Sequence, residues 1–383
     1  MLPLSGVKVV EFCQVAAGPF CGVLLADMGA DVIKVESPDG GDGLRQWPPL
    51  TGGFSENFAS INRNKRSVAL NLKDEAQREA ARRLALSADV VVENFRPGVL
   101  GKLGLGYDAL ASEKPSLVYC SISAFGQSGP RSQEGGFDLT VQAIGGVMSV
   151  TGEPGGPPAK CGVPLADFGA GLYAAYAIAC ALHAARRDGQ GDYIDVSMLG
   201  ATLGMAALQT SEYFGTGRDP VKLGSAHPRN APYQAFKAKD GYFAMAAGND
   251  RLWKSVCRIV GQEALEKDER FASTSQRAKN QAELKAILEA SFAARPVAEW
   301  LKLFAGGGVP CAPINSYSQA LADAQVGHMG WVQPVELPGG AKTRTFVSPL
   351  KMRNQRFGIA RRPPALGEHN EEVLGELSRG KSR

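Results

Sequence analysis

Val7-Lys-Val-Val-Glu-Phe12, the turn Cys13-Gln-Val-Ala-Ala-Gly-Pro19, a helix-like run to Met28, and then Gly29-Ala-Asp-Val-Ile-Lys-Val-Glu36 open the chain. Two short β-branched runs bounded by turn residues read as strands. The apolar segment between them reads as a helix closed by Gly29. Strand, helix, strand without a tight hairpin is a βαβ unit, and such units build parallel sheets. The expectation is an α/β protein. The same unit invites a dinucleotide reading, with Glu36 placed to hold a ribose hydroxyl. Its first turn lacks the G-x-G-x-x-G spacing that lets backbone approach a pyrophosphate, which argues against a nicotinamide cofactor.

Working outward, Ser67-Val-Ala-Leu-Asn-Leu72, Asp89-Val-Val-Val-Glu93, Leu117-Val-Tyr-Cys-Ser-Ile122 and Tyr193-Ile-Asp-Val-Ser197 read as further strands, and Asp74 to Ser87 as an amphipathic helix. In open α/β sheets ligands bind beyond the carboxyl ends of the strands. The loops after Phe12, Glu93 and Ile122 are therefore the rim of one site. Pro164 opens the longest helix, and Arg186, Arg187, Asp188 and Gly189 close it. Pro before the start, cations in the last turn and Gly past the end are helix punctuation. This helix is apolar almost all round, so burial in a large core is expected. Asp167 stands at its mouth. It reads either as an N-cap accepting from the orphan amides of the first turn, or as a nucleophile kept ionised by those amides and the helix dipole. The residues alone leave both readings open.

At 383 residues, two domains are expected. A helix is predicted over about 199–214, a Gly- and Pro-rich linker over 215–230, and then a smaller α+β unit. That unit has a strand at Tyr242–Ala246 and helices near 250–260, 281–293 and 297–306. The stretch from Val309 to about Leu350 reads as strand and turn, and the tail after Arg361 as helical. The predicted division is a large domain over 1–215, completed by 330–383, and a small domain with its linkers over 216–329.

Apolar residues at 44% and charged residues at 21% are those of a soluble globular protein. The formal charge of +4 comes without a lysine-rich block, which disfavours nucleic acid and suits small anionic ligands. Seven scattered cysteines without C-x-x-C read as reduced, mostly buried thiols of a cytoplasmic protein. With only four histidines, far apart, no metal site is expected. No signal peptide is read at the start, and the long apolar helix, interrupted by glycines, is not read as a membrane span.

Eight pieces then occur in one order: Val15–Pro19, Gly29–Glu36, Asn62-Arg-Asn-Lys-Arg-Ser67, Glu93-Asn-Phe-Arg-Pro-Gly98, Phe125-Gly-Gln-Ser-Gly-Pro130, Gly162 to Asp167, Gly308-Val-Pro-Cys-Ala-Pro313 and Leu366-Gly-Glu-His369. With them the chain resembles the class III CoA-transferases, the CaiB/BaiF family, over essentially its whole length. The resemblance implies a Rossmann-like parallel-sheet domain that binds CoA, a smaller domain, and an interlocked homodimer. It implies that Asp167 attacks an acyl-CoA thioester, forms a mixed anhydride, and becomes an aspartyl-CoA thioester that an acceptor acid resolves. It further implies CoA contacts from Gln14, Val15 and Ala17, from Leu70 and Lys73, from Asn94, Phe95 and Arg96, and from Lys102 and Phe137. CoA thioesters are then substrates, and no permanently bound cofactor is expected.

Three departures bear on specificity. Ala16 stands where formyl-CoA transferase has a glutamine, and Ser37 where it has an arginine. The nearest counterpart of its glycine-rich gate is Ala246-Ala-Gly-Asn249. Formate and oxalate are thereby disfavoured as the acid. The α-methylacyl-CoA racemases of the family use a histidine where this chain reads Gly136-Phe137-Asp138, and phenylalanine moves no proton. A non-catalytic CoA-binding protein remains a further alternative, set against the intact Gly162-x-Pro164-x-x-Asp167. Cys13 and Cys161 have no histidine close in sequence, which disfavours a thiol nucleophile. The small-domain motifs look most like the succinyl-CoA:dicarboxylate branch. A distal carboxylate needs a cation, for which Arg45, His227 and Arg229 are the candidates.

Overall fold

The computed structural model describes residues 1–355 and 357–379. Contacts divide the chain into two units, one formed by residues 1–147, 160–218 and 324–383, the other by 148–159 and 219–323. The segment 148–159, which the sequence places in the large domain, belongs to the smaller unit.

The larger unit is built on β1 (Lys8–Phe12), α1 (Ala17–Asp27), β2 (Asp31–Glu36), β3 (Lys65–Ala69), α2 (Glu75–Ser87), β4 (Val90–Glu93), β5 (Val118–Ser123), α3 (Asp138–Ile144), α4 (Leu165–Asp188), β6 (Tyr193–Ser197), α5 (Met198–Met205) and α6 (Ala207–Thr216). Its six strands lie in the order β3-β2-β1-β4-β5-β6 and every neighbouring pair is parallel. This is the doubly wound order, and its direction reverses between β1 and β4. Side chains alternate across the sheet as a pleated strand requires. Val9, Val32, Val90 and Val92 pack with Cys21, Ala170 and Ile178 on one face. Val10, Ile33, Val91 and Tyr119 pack with Ala81 and Leu84 on the other.

The long helix departs from expectation. Its small residues, among them Ala166, Gly169, Ala170, Gly171 and Ala174, are buried. A Cβ added at Gly171 would lie 2.8 Å from the Ala17 carbonyl, so α1 and α4 touch backbone to backbone. Its larger residues Leu172, Tyr173 and Tyr176 point away and are exposed. At 24 residues it is long and apolar enough to cross a membrane, but one side is packed on α1 and the sheet. The single helix predicted over 199–214 is two, broken at Ala206.

The smaller unit carries the antiparallel sheet β9-β8-β7, made of β7 (Tyr233–Lys237), β8 (Tyr242–Ala246) and β9 (Cys311–Pro313). Against it pack α7 (Asp250–Val260), α8 (Gln281–Phe292) and α9 (Val297–Gly306), around Phe236, Phe243, Trp253, Phe292, Trp300 and Phe304. The expected strand-and-turn stretch after Val309 also holds two short helices, Tyr317–Leu321 and Ala324–Met329.

The chain then returns to the larger unit through the hairpin β10 (Val332–Glu336) and β11 (Lys342–Phe346) and through α10 (Asn370–Arg379). The return is anchored on β3. Arg66 pairs with Glu372 and Glu376, each at 2.9 Å, and the Ala69 amide donates to Asn370 at 2.8 Å.

Candidate active site

The loops after β1 and β4 meet at the point where strand order reverses. Asn94 joins them: its side-chain oxygen accepts from the Gln14 amide and its nitrogen donates to the Gln14 carbonyl, both at 2.8 Å. Two cavities open on either side of this junction. One, of about 370 Å³, is lined by Gln14, Val15, Ala17, Arg96, Phe137 and Asp167, among others. The second, of about 430 Å³, is lined by Leu70, Lys73 and Lys102, among others. Gln14 and Phe95 line both, so the two cavities adjoin at the sheet's carboxyl end. Lys73, Arg96 and Lys102 are exposed at its rim. Leu70 is buried as one wall.

Asp167 is not the N-cap of α4. Pro164 occupies that position, and Asp167 is the third helical residue. The cap comes from another helix. Asp138, in the first turn of α3, accepts from the Ala166 amide at 2.9 Å through one oxygen and from Gln142 at 2.7 Å through the other. The fully buried Gln142 in turn accepts from the Cys161 amide at 2.8 Å. Aromatic stacking of Phe168 on Phe20, with centroids 4.4 Å apart, fixes the same turn against α1. The Asp167 carboxylate receives no hydrogen bond from the described residues and faces the cavity. Burial first, and the Asp138 charge second, push its pKa up to about 7. The expectation that the helix amides keep it fully ionised is corrected: withdrawal from water and a like charge outweigh the dipole. A carboxylate this basic is a stronger nucleophile when ionised than an ordinary one.

Phe137, 76% exposed, is the N-cap of α3, and its ring lines the Asp167 cavity without an ionisable group. Arg45 is corrected as a substrate cation. Its guanidinium donates to both oxygens of Glu36 at 2.8 and 2.6 Å and to the Pro364 carbonyl at 3.0 Å, and it stacks on Phe58. Glu36 accordingly serves an ion pair and not a ribose. His227 accepts the Arg229 and Asn230 amides on Nδ1, each at 3.1 Å, and packs on Tyr233, which makes it a turn-forming residue of the smaller unit. Arg229 is exposed in that same unit. Cys13, Cys21 and Cys120 are buried thiols with pKa values raised by burial, so none is an activated nucleophile. Among the described residues no three His, Cys, Asp or Glu side chains converge as metal ligands.

Sequence reasoning did not assign a role to Asp138, although it stands in the quoted Gly136-Phe-Asp138. Glu134 and Met198 also line the Asp167 cavity and were not foreseen. Their signal is only spatial, since β5 and the start of α5 bring them to the rim.

The model of CoA-transferase family III matches residues 4–370. A succinate–glutarate CoA-transferase of Agrobacterium fabrum is 40% identical over 382 residues, spanning 98% of this chain and 96% of that protein. A succinyl-CoA:mesaconate CoA-transferase of Haloarcula hispanica is 36% identical and spans 98% of this chain and 97% of its own. Among solved structures, a CaiB/BaiF family protein from Brucella suis superposes with a TM-score of 0.88 at 40% identity, covering 98% of this chain and 99% of that one. The family model spans nearly the whole chain and the relatives are 36–40% identical to it: the chain belongs to CoA-transferase family III.

Proposed function

We propose that the protein moves CoA from succinyl-CoA to a small dicarboxylate such as glutarate, through covalent chemistry on Asp167. The observation that carries this reading is a pair of adjoining cavities that share Gln14 and Phe95, one lined by Lys73 and Lys102 and the other by the unengaged carboxylate of Asp167. A CoA thioester has a polyanionic nucleotide at one end and a thin arm ending at the reacting carbonyl. Cations beside one cavity and a carboxylate nucleophile in the next match that polarity. The names of the family relatives above support succinyl-CoA and dicarboxylates as the reactants.

In the proposed reaction the ionised Asp167 attacks the thioester carbonyl carbon. The C–S bond breaks and CoA leaves as thiolate with the electron pair, giving a mixed anhydride. The thiolate then attacks the aspartyl carbonyl of the anhydride, expelling succinate. The acceptor carboxylate attacks the resulting aspartyl-CoA thioester, and the thiolate returns to the acceptor's acyl carbon, which frees Asp167. Each step exchanges one acyl bond for another, so no proton, electron or resident cofactor is consumed. The amides at the N-terminal end of α1, which no side chain caps, border the cavity at Ala16 and Ala17 and are the donors assigned to the developing oxyanions. We further propose an interlocked homodimer, as the resemblance implies.

Hydroxylamine trapping during turnover with succinyl-CoA tests the reading: the modified peptide is expected to contain Asp167. Asp167→Asn is expected to lose at least about a thousandfold in rate, because a nucleophile is removed. Transfer at near-wild-type rate, with deamidation excluded by mass, would refute it.

A further inference from the structure

The loop between β1 and α1 holds a backbone conformation that its sequence disfavours. Val15 has φ +63°, in the left-handed region where a β-branched residue is rare. Something must hold it there. The Val15 amide donates to Asp42 Oδ1 at 3.0 Å, and the same oxygen accepts the Leu44 amide at 2.9 Å. Asp42 Oδ2 pairs with Lys34 Nζ at 3.0 Å. Lys34 Nζ donates to the Cys13 carbonyl at 2.7 Å. The two side chains therefore close a brace around residues 13–15, from the carbonyl of Cys13 to the amide of Val15. Neither side chain is accessible to solvent. The brace is itself supported, since the Asp42 amide donates to Glu36 Oε1 at 3.0 Å and Lys34 also contacts Glu11 at 3.3 Å. Burial pulls the Lys34 amine toward neutrality, but Asp42 and Glu11 outweigh it and hold its pKa above the ordinary lysine value.

We propose that the Lys34–Asp42 pair is a positioning device for the acyl-transfer site: it holds Val15 in its strained conformation so that residues 14–17 and the first turn of α1 stay aligned with Asp167 across the cavity they share. The inference rests on the reading of that cavity as the acyl-CoA site. Its logic is pre-organisation. A loop misplaced by an ångström costs a reacting geometry far more than it costs the fold. A buried ion pair is weak evidence of stabilisation by itself. A pair whose outer atoms both grip one strained loop has a specific task.

The pair differs from the other buried lysine of the same region. Lys65 contacts Glu11 at 2.9 and 3.0 Å, the Pro19 carbonyl at 2.8 Å and Asn62 at 3.0 Å, and makes no contact with residues 13–15. It supports the helix, whereas Lys34 and Asp42 support the loop before it.

Steady-state kinetics of full-length variants test this, with succinyl-CoA varied and glutarate fixed. Asp42→Ala removes the oxygen that Val15 needs and is expected to lower kcat/KM for succinyl-CoA at least tenfold. Asp42→Ala/Val15→Gly removes the brace and the strain together, because glycine adopts positive φ freely. It is expected to regain threefold or more over Asp42→Ala alone, short of wild type because Val15 also lines the cavity. Lys34→Met/Asp42→Leu removes the oxygen that Val15 needs, leaves no unpaired charge beside the loop and guards against a first variant that does not fold. It is expected to lose threefold or more. An unchanged kcat/KM in whichever variant folds, or a loss that glycine does not rescue, overturns the proposal. Hydrogen exchange at the Val15 amide, read without substrate, separates this from failure of the functional reading. If wild type transfers no CoA, the acyl-transfer reading fails. A Val15 amide as protected in Asp42→Ala as in wild type then overturns the brace as well, and loss of that protection supports it.

Discussion

Asp138 and Asp167 divide between them two tasks that the sequence offered to one residue. Asp138 caps α4 from outside, which leaves the Asp167 carboxylate unengaged and under the influence of a neighbouring charge. Asp138→Asn keeps an oxygen for the Ala166 amide and removes that charge, at the expense of the hydrogen bond that Gln142 now donates. The Asp167 pKa is then expected to fall from about 7, so the acidic limb of kcat/KM against pH moves to lower pH. A limb that stays in place would make Asp138 a cap alone. The same pKa has a consequence for stability. A carboxyl raised above its unfolded value near 3.9 contributes stability that is present at low pH and lost as pH rises through about 7. Asp167→Asn has no such loss, so its thermal midpoint is expected to exceed that of wild type at pH 8 and to converge with it toward pH 5. A variant less stable at both pH values would contradict this. At Phe137 the expectation is chemical: with a 2-methylacyl-CoA in deuterated water, the α-hydrogen stays in place, since the ring accepts no proton. Enzyme-dependent deuterium uptake would reinstate the racemase reading. Residue types were legible where punctuation marked them, as at Pro164 and Asp167. Arg45 was misread because its partners, Glu36 and Pro364, are set by the packing of a turn on a distant return segment.

Helices α1 and α4 carry the two halves of the site, and their separation sets the distance between the 14–17 loop and Asp167. They approach this closely only because Gly171 presents no side chain to Ala17 and Cys21. Gly171→Ala places a methyl 2.8 Å from a backbone oxygen that cannot rotate away. Overpacking of this kind costs about 1–3 kcal/mol. The expected result is a lower urea midpoint together with a fall in kcat larger than the rise in KM, because the wedge separates loop from nucleophile. A purely thermal defect with intact kcat would place the functional spacing elsewhere. Elements of this kind were mostly readable. The β-branched runs and flanking turns located the strands, and Pro164 with Gly189 bounded α4. The break between α5 and α6 was not, since neither proline nor glycine marks Met205-Ala-Ala-Leu208, where Ala206 leaves the helical conformation. The burial of α4 was overestimated for a related reason: composition shows how apolar a helix is, but not that its small residues face inward and its large ones outward.

That outward face is a property of the whole molecule. Leu172 and Tyr176 of α4 are 52% and 69% exposed, and on the helices that follow, Leu208 and Phe214 are 63% and 81% exposed. Scattered apolar residues on a surface are ordinary, but several large ones on successive helices of one unit fit a surface that meets a partner. A lipid surface and a second copy of the chain both cover such a face, and they differ in what they require. Lipid admits no open sheet edge at membrane depth, whereas α4 packs its small side on α1 and on an open six-stranded sheet. A second copy needs only one face, and obligate homodimer interfaces are large and apolar. The homodimer expected from the family resemblance therefore has a surface of the right character. Light scattering coupled to gel filtration, without detergent, is expected to give twice the mass of the chain at micromolar concentration. Tyr176→Glu/Phe214→Glu places two charges on this face and is expected to shift the mass toward the single chain, or to yield aggregated material if the fold depends on the partner. A wild-type monomer would sink the proposed assembly. A double variant that remains a well-behaved dimer would move the interface to another face.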